Sequence, residues 1–470
     1  MNAPGGPRYR FGPRDRRGLV AGASASQVVV VCAGLLVAVG LLRSLHGAVG
    51  VLAGVAVVAA AGSCAFWPVR GRTVEQWVPV ALAYLSGVLL GGSSAAAARR
   101  SPGVPSRPPG PLGGFALHEL DGAAVAGSFG AVRDSRSGTW TAVLSLGSTS
   151  FALLGEHERS RQVAAWAGVL AAVSSGSGSL HRLQWIERTL PDLGESLERH
   201  LEAKGVAADD PARAGARRSY AELLEREQLG RMRHELFLAC TVRSGRKVRA
   251  GADVLADEIA RLDRRCRDAG IPVEGVLSRA GLSSLVRRSF DEVPAPGAAA
   301  WPWPMALAAS WSSVRTDGTW HATYWIAEWP RSDVASDFLF PLLVGCTERR
   351  SVAVVMSAVP PQRAIRAAEH ARTSVTADAE LRRRHGIATS ARRHREHEAV
   401  ARREGELADG HVAYRFSGYV TVTAVSPAEL EAACSRVEQA AALARLELRR
   451  LYGAQGDALA LSLPTGRGCA

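Results

Sequence analysis

Two uncharged apolar runs near the front constrain this chain more than anything after them. Residues 24–42 read SASQVVVVCAGLLVAVGLL and residues 48–67 read AVGVLAGVAVVAAAGSCAFW, with RSLHG between them. A bilayer core of about 30 Å takes roughly 20 helical residues at about 1.5 Å each. Each run has that length, and the connector is too short to fold by itself, so the pair is expected as a helical hairpin in the cell membrane. Gly34, Gly40, Gly50, Gly54 and Gly62 would let the helices approach closely. A cleaved signal peptide fits poorly, because the first run is long and a second one follows. Arg8, Arg10, Arg14, Arg16 and Arg17 precede the pair, Arg70 and Arg72 follow it, and Arg43 alone lies in the connector. The positive-inside rule then puts both termini in the cytoplasm.

The stretch WVPVALAYLSGVLLGG at 77–92 is shorter and contains Pro79. It is expected as an interfacial or buried helix, followed by a Pro/Gly-rich linker at 98–114. Beyond it the chain is long enough for sizeable cores. The net charge of +13 suits an anionic partner such as membrane lipid, nucleic acid or an acidic protein surface. The basic residues are almost all arginine, with lysine only at 204 and 247, which is also the mark of a GC-rich coding bias. The seven cysteines include no CxxC pair, so they are expected as small buried apolar groups in a reducing compartment.

The rest reads as alternating strands and helices. TWTAVLSLGSTSFALL at 139–154 reads as a strand turning into a second strand at GSTS. Val163, Trp166, Ala167, Leu170 and Val173 form a helical face, and LHRLQWIERTL is strand-like, giving a β-α-β unit. A helix around 219–235, a strand at 236–242, a helix at 251–268 and a strand near 272–277 follow. VPAPGAAAWPWP at 293–304 marks a boundary. SGTWTAVLSL at 137–146 resembles DGTWHATYWI at 317–326, a hint of duplication. Residues 360–408 read as a solvated, charged helical pair divided at Gly386. At 412–424, Val412, Tyr414, Phe416, Gly418, Val420, Val422 and Ala424 alternate with Arg415, Ser417, Thr421 and Thr423, which reads as a strand buried on one side. Ser426–Glu429 is a capping box opening a helix expected to reach Leu451.

The expected class is α+β: a basic N-terminus at 1–23, a two-helix transmembrane hairpin at 24–67, and an interfacial segment with linker at 68–114. Two antiparallel sheet/helix cytoplasmic domains follow at 115–292 and 305–470, the second carrying the hairpin insertion at 360–408. No motif carries chemistry. Neither lysine sits in a phosphate-binding loop. His394 and His397 lack the His-Glu-x-x-His spacing of a zincin, since position 401 is Ala. SSGSGS at 174–179 lacks the context of a hydrolase serine. The tryptophans at 301, 303, 311, 320, 325 and 329 suit packing better than a ligand cage. No catalytic residue, metal or cofactor is expected, and the chain reads as a non-enzyme.

The stretches TWTAVLSLGSTSFALL, HRLQWIERTLP, YRFSGYVTVTAVSPAELEAACSRVEQAA and LELRRLYGAQGDALALSLPTGRG resemble the N-terminal, non-ATPase half of the large type IV secretion and conjugation ATPase, the fourth VirB component. The two-span front end is similar to the third component. In that family the last tract leads into a RecA-like motor, which is absent here. The resemblance therefore implies a membrane scaffold, assembled as a multimer, that docks a separately encoded Walker-type ATPase and other channel subunits, with Tyr452, Gln455, Leu463 and Arg467 in the contact. A second resemblance is to EccE, a membrane subunit of type VII secretion in actinobacteria, which also has two N-terminal spans and a cytoplasmic α/β domain. A membrane-tethered enzyme with an unrecognised site is the third reading.

Overall fold

The computed structural model describes Tyr9, Phe11 and residues 25–45, 47–69, 72–89, 94–96, 98–99, 105–122, 124–125, 127–147, 151–174, 179–192, 215, 219, 232–243, 248–291, 301–384 and 391–468. Helices α1 (Ala25–Ser44), α2 (Ala48–Phe66) and α3 (Val74–Leu89) come first. Among the described residues, thirteen strands then form one sheet, antiparallel at every pairing. Strand β1 (Ser94–Ala96) is an edge.

The sheet is built from two runs of the same topology. In the first, the meander β2 (Phe115–Asp121), β3 (Ser128–Asp134) and β4 (Thr139–Leu146) leads through α4 (Glu156–Ser174) to β5 (Leu180–Pro191). Next come β6 (Met232–Arg243), α5 (Val248–Asp268), β7 (Val273–Val276) and α6 (Arg279–Arg287). Strand β6 lies between β4 and β5, and β7 joins the outer edge of β4, giving the order β7-β4-β6-β5. This is a split β-α-β arrangement, so the β-α-β unit expected from sequence is present with β6 inserted into it.

The second run repeats this. It contains β8 (Ala306–Ala309), β9 (Val314–Thr316), β10 (Trp320–Glu328), α7 (Phe340–Leu343), β11 (Arg350–Ala358), α8 (Pro361–Arg384) and α9 (Ala391–Ala408). It ends with β12 (Tyr414–Ala424), α10 (Pro427–Leu443), β13 (Glu447–Arg450) and α11 (Gln455–Leu459). The order β13-β10-β12-β11 matches the first run strand for strand. The two Gly-Thr-Trp openings fall at the starts of β4 and β10, the same place in each repeat.

The repeats join through their equivalent strands β5 and β11. The register pairs Leu183 with Met356, Ile186 with Ala353 and Thr189 with Arg350, so a quasi-two-fold axis passes beside the fully buried Ile186–Ala353 pair. An axis perpendicular to the sheet keeps both repeats the same way up. Helices α4 and α5 therefore cover one face of repeat one, and α7 and α10 the same face of repeat two. On that face Trp185 touches both helical layers. The opposite face carries α6, α11 and the chain's last residues. Strands from both sides of residues 293–304 thus share one sheet and one core layer.

Several local expectations are corrected. No second strand follows β4, because Phe151–Leu153 form a short 3-10 turn instead. In α4 the buried residues are Val169 and Val173, and Ala167 faces out. Residues 232–235 belong to β6; the remainder of the helix expected at 219–235 lies outside the described residues apart from Ser219. Helix α10 stops at Leu443, well before Leu451, because Arg445 turns into the left-handed region at φ 58° and β13 begins. Its start is as read: the Ser426 hydroxyl accepts from the Glu429 amide. Strand β12 is covered on both faces where Thr421 and Thr423 lie. The charged pair α8–α9 protrudes with Arg372 bonded to Glu404 at 2.8 Å, and Gly386 lies outside the described residues.

Buried polar groups on the face that carries α6 and α11 make the sheet sensitive to acid. His321 accepts or donates to Thr316 at 2.8 Å and Thr423 at 3.0 Å. Burial, and secondarily the charge of Arg349, push its pKa down to about 3. The unfolded chain binds that proton near pH 6.5. Between those values the unfolded state holds more protons, so stability is full above pH 6.5 and falls as the pH drops towards 3. Thermal unfolding of the detergent-solubilised protein should show this slope, and His321→Gln should flatten it.

Candidate functional site: a membrane dock and a C-terminal strap

Both flanks of the helical hairpin are fixed to repeat two. Before α1, Tyr9 forms a two-way backbone bridge with Val334 at 2.9 and 3.0 Å. Phe11 sits among Trp329, Phe338 and Phe416, with ring centroids 5.2–6.2 Å away. After α2, helix α3 lays Trp77 and Tyr84 against Trp311 at 5.8 and 5.1 Å, and Trp77 meets Tyr452 at 5.9 Å. Gly453 permits this contact. It has φ +72°, and a Cβ there would stand 2.7 Å from the Trp311 ring and 2.8 Å from Val80.

The hairpin itself is close-packed. A Cβ on Gly34 would fall 2.4 Å from that of Ala61, one on Gly50 would strike the Leu45 carbonyl, and one on Gly54 would touch Leu42. Gly40 and Gly62 have open space, so they do not serve the contact expected of them. Gln27 at the foot of α1 donates to the Ala65 carbonyl at the end of α2, 2.9 Å away. Leu36, Val49, Leu52 and Val55 point outward, exposed. Two adjacent helices of 20 and 19 residues with such surfaces are long and apolar enough to cross a membrane.

Residues 455–467 form a strap across the sheet. Gln455 clamps the Thr323 backbone, accepting from its amide at 2.8 Å and donating to its carbonyl at 3.1 Å. Ser462 bonds Thr421 at 2.7 Å. Gln184 donates to the carbonyls of Leu461 and Leu463, each at 3.0 Å, and accepts from the Gly466 amide at 3.0 Å. The Thr141 hydroxyl is 2.9 Å from Thr241 and reaches the Thr465 carbonyl at 3.2 Å. Arg467 ends the strap on the buried Asp134 carboxylate at 2.9 Å, with its guanidinium 4.2 Å from the centre of Phe115. Although burial alone would raise it, the Asp134 pKa lies below the usual carboxylate range because Arg467, the Arg136 amide and Ser137 bond to the charged form. The strap starts on repeat two and finishes on repeat one.

The four residues expected to touch a partner are thus engaged within the chain. Gln455 and Leu463 are buried, Arg467 is paired, and Tyr452 belongs to the aromatic cluster under α3. Sequence reasoning missed Thr141, Gln184 and Thr323, and left Thr421 on the open side of a strand buried on one side. Only a polar residue on a strand already buried on its other face could have hinted at a second cover. The tryptophans divide among separate packing sites. Trp303 stacks on Phe115 at 5.4 Å beside a groove of about 420 Å³ reached also by Trp301, Leu117 and Arg279. His394 lies 3.5 Å from Glu398 on an exposed helix face. No group of three or more His, Cys, Asp or Glu is placed to hold a metal among the described residues. Cys240, Cys266, Cys346 and Cys434 are buried, whereas Cys32 and Cys64 on the hairpin are exposed.

These features define a class: a membrane-anchored α+β protein with a duplicated sheet. A family model described as "Putative type VII ESX secretion system translocon, EccE" matches residues 231–326. That segment runs from β6 through most of β10, unbroken across residues 293–304. No curated protein matches the chain. The match overturns the type IV, conjugative and VirB-like expectation and supports an EccE-like type VII membrane subunit instead. The tract that carried the type IV resemblance owes its Pro/Gly punctuation to turns of the strap, where Gly466 has φ +64°.

Two substitutions test the strap. A Cβ at Gly466 would fall 1.9 Å from the Thr241 hydroxyl, so Gly466→Ala should cost about 1–3 kcal/mol and speed amide exchange over residues 459–466. Asp134→Asn leaves Arg467 without its carboxylate and should lower stability by about 3 kcal/mol. Asp134 adds stability above its unfolded pKa near 4 and loses it as pH falls through its lower folded value, so the deficit of the variant should shrink in acid.

Proposed function

We propose that this chain is an EccE-like membrane subunit of a type VII secretion translocon, acting as a non-catalytic scaffold. The observation that carries this is the family match over residues 231–326, joined by two membrane-length helices at the front. The arginines flanking the hairpin favour an orientation with both termini and the sheet in the cytoplasm. The aromatic clusters hold repeat two against the cytoplasmic ends of the spans, and the sheet extends repeat one beyond them. Its partners are other subunits of the same translocon, a Walker-type ATPase among them, and copies of itself within the complex. The exposed charged pair α8–α9 and the edges of the sheet are the surfaces offered to them.

Mild-detergent purification of the tagged protein from native membranes, followed by mass spectrometry, tests this reading. Type VII membrane subunits are expected in stoichiometric amounts. Type IV channel subunits, or recovery of the protein alone, would overturn it.

A further inference from the structure

Helix α3 is apolar on both sides, yet none of its residues is buried in the core. At 16 residues it is about 24 Å long, short of a bilayer core, and it contains Pro79. Its half-buried residues Val74, Trp77, Val80, Ala81 and Tyr84 recur at helical spacing, and Trp77, Val80 and Tyr84 among them meet Trp311, Tyr452 and Gly453. The opposite side carries Val78, Leu82, Leu85 and Leu89, which are 51%, 61%, 52% and 84% exposed. Their spacing of i, i+4, i+7 and i+11 makes one continuous stripe. Pro79, Ala83 and Val88 flank it, and only Gln76 and Ser86 are polar among the exposed residues of the helix. A helix that packs one face on a domain and offers the other to water is polar outside. This one is not.

We propose that α3 lies in the bilayer interface, with the stripe Val78–Leu82–Leu85–Leu89 sunk in the acyl–headgroup boundary and Trp77 and Tyr84 gripping the sheet domain. The occupant is fixed by continuity with the hairpin. Only residues 67–73 separate α3 from α2. Glu75, the one charged residue of α3, accepts from the Ser26 hydroxyl at the foot of α1 at 3.2 Å, next to the Gln27–Ala65 bond that ties the two spans together. The first turn of α3 is therefore held at the level where α1 begins and α2 ends, which is the surface of the membrane they cross. An apolar stripe at that level meets lipid, and tryptophan and tyrosine suit that depth.

This inference rests on α1 and α2 being membrane spans, and the experiment separates the two claims. Cys32, Cys64 and Cys469 are replaced by alanine in the full-length chain, leaving only buried thiols among the described cysteines. Spin labels are then placed singly at Leu82→Cys, Leu85→Cys, Leu52→Cys in α2 and Leu443→Cys at the exposed end of α10. The proteins are reconstituted in phosphatidylcholine–phosphatidylglycerol nanodiscs, and collision rates with oxygen and with a water-soluble nickel chelate are measured. Labels at 82 and 85 should favour oxygen at a shallow depth of about 5–10 Å, that at 52 should lie deeper, and that at 443 should favour the chelate. Labels at 82 and 85 in water with 52 deep would overturn the placement of α3 and leave the spans intact. Labels at 82 and 85 as deep as 52 would make α3 a third span and also overturn it. A water-exposed label at 52 would overturn the membrane reading itself.

Discussion

The backbone ladder between β5 and β11 is the contact on which the rest of the molecule depends. A split β-α-β unit standing alone leaves its last strand with a bare edge, and bare edges recruit other strands. Here each repeat covers the edge of the other. Antiparallel pairing about Ile186 and Ala353 also fixes which side of the sheet each helix occupies. Because side chains alternate, a slip of one residue would move every core residue to the wrong face. Trp185, which touches both helical layers, and the paired Ile186 and Ala353 beneath bind the register from both sides of the sheet.

The polar face of the sheet is an unusual place to find buried threonines, and the strap accounts for them. A strand pattern with apolar residues on one side and Thr, Gln and His on the other ordinarily means that the second side is wet. In this chain that side is roofed by the residues after β13. The strap's carbonyls and amides meet Gln184, Thr323, Thr421 and Thr141, so backbone groups that leave water find partners in the sheet. Arg467 closes the far end on Asp134.

Much of this could be read from the chain, and the failures have identifiable physical causes. The hairpin followed from two uncharged runs, the start of α10 from its cap, and β4 and β12 from alternation. The Gly-Thr-Trp pair pointed to a duplication that the strand order bears out. The limits of α10 did not show, because a left-handed Arg445 has no compositional mark. The strap did not show either, since Gly466 and Pro464 punctuate a buried crossing in the same way that they punctuate a tail. That ambiguity led the last tract towards a type IV resemblance, whereas the segment that a type VII family model matches, 231–326, has no short motif to single it out. The long interval between β5 and β6 and the hairpin α8–α9 interrupt equivalent places in the two repeats, which hides the repeat from simple comparison of spacing.

The attachment of the hairpin has a mechanical consequence. Tyr9 and Phe11 on one side and α3 on the other grip repeat two, and repeat one is joined to it by the sheet, the strap and side-chain bonds such as Arg159–Asp337, Arg287–Asp317 and Tyr414 to the Leu170 carbonyl. Phe115 at the start of β2 shares a core with Trp303, Leu307, Val314 and Leu459, so a small rocking of the spans would carry both repeats as one body. The strap crosses from one repeat to the other and stiffens their union as a tie rod does, so a displacement imposed on repeat two would reach repeat one with little loss.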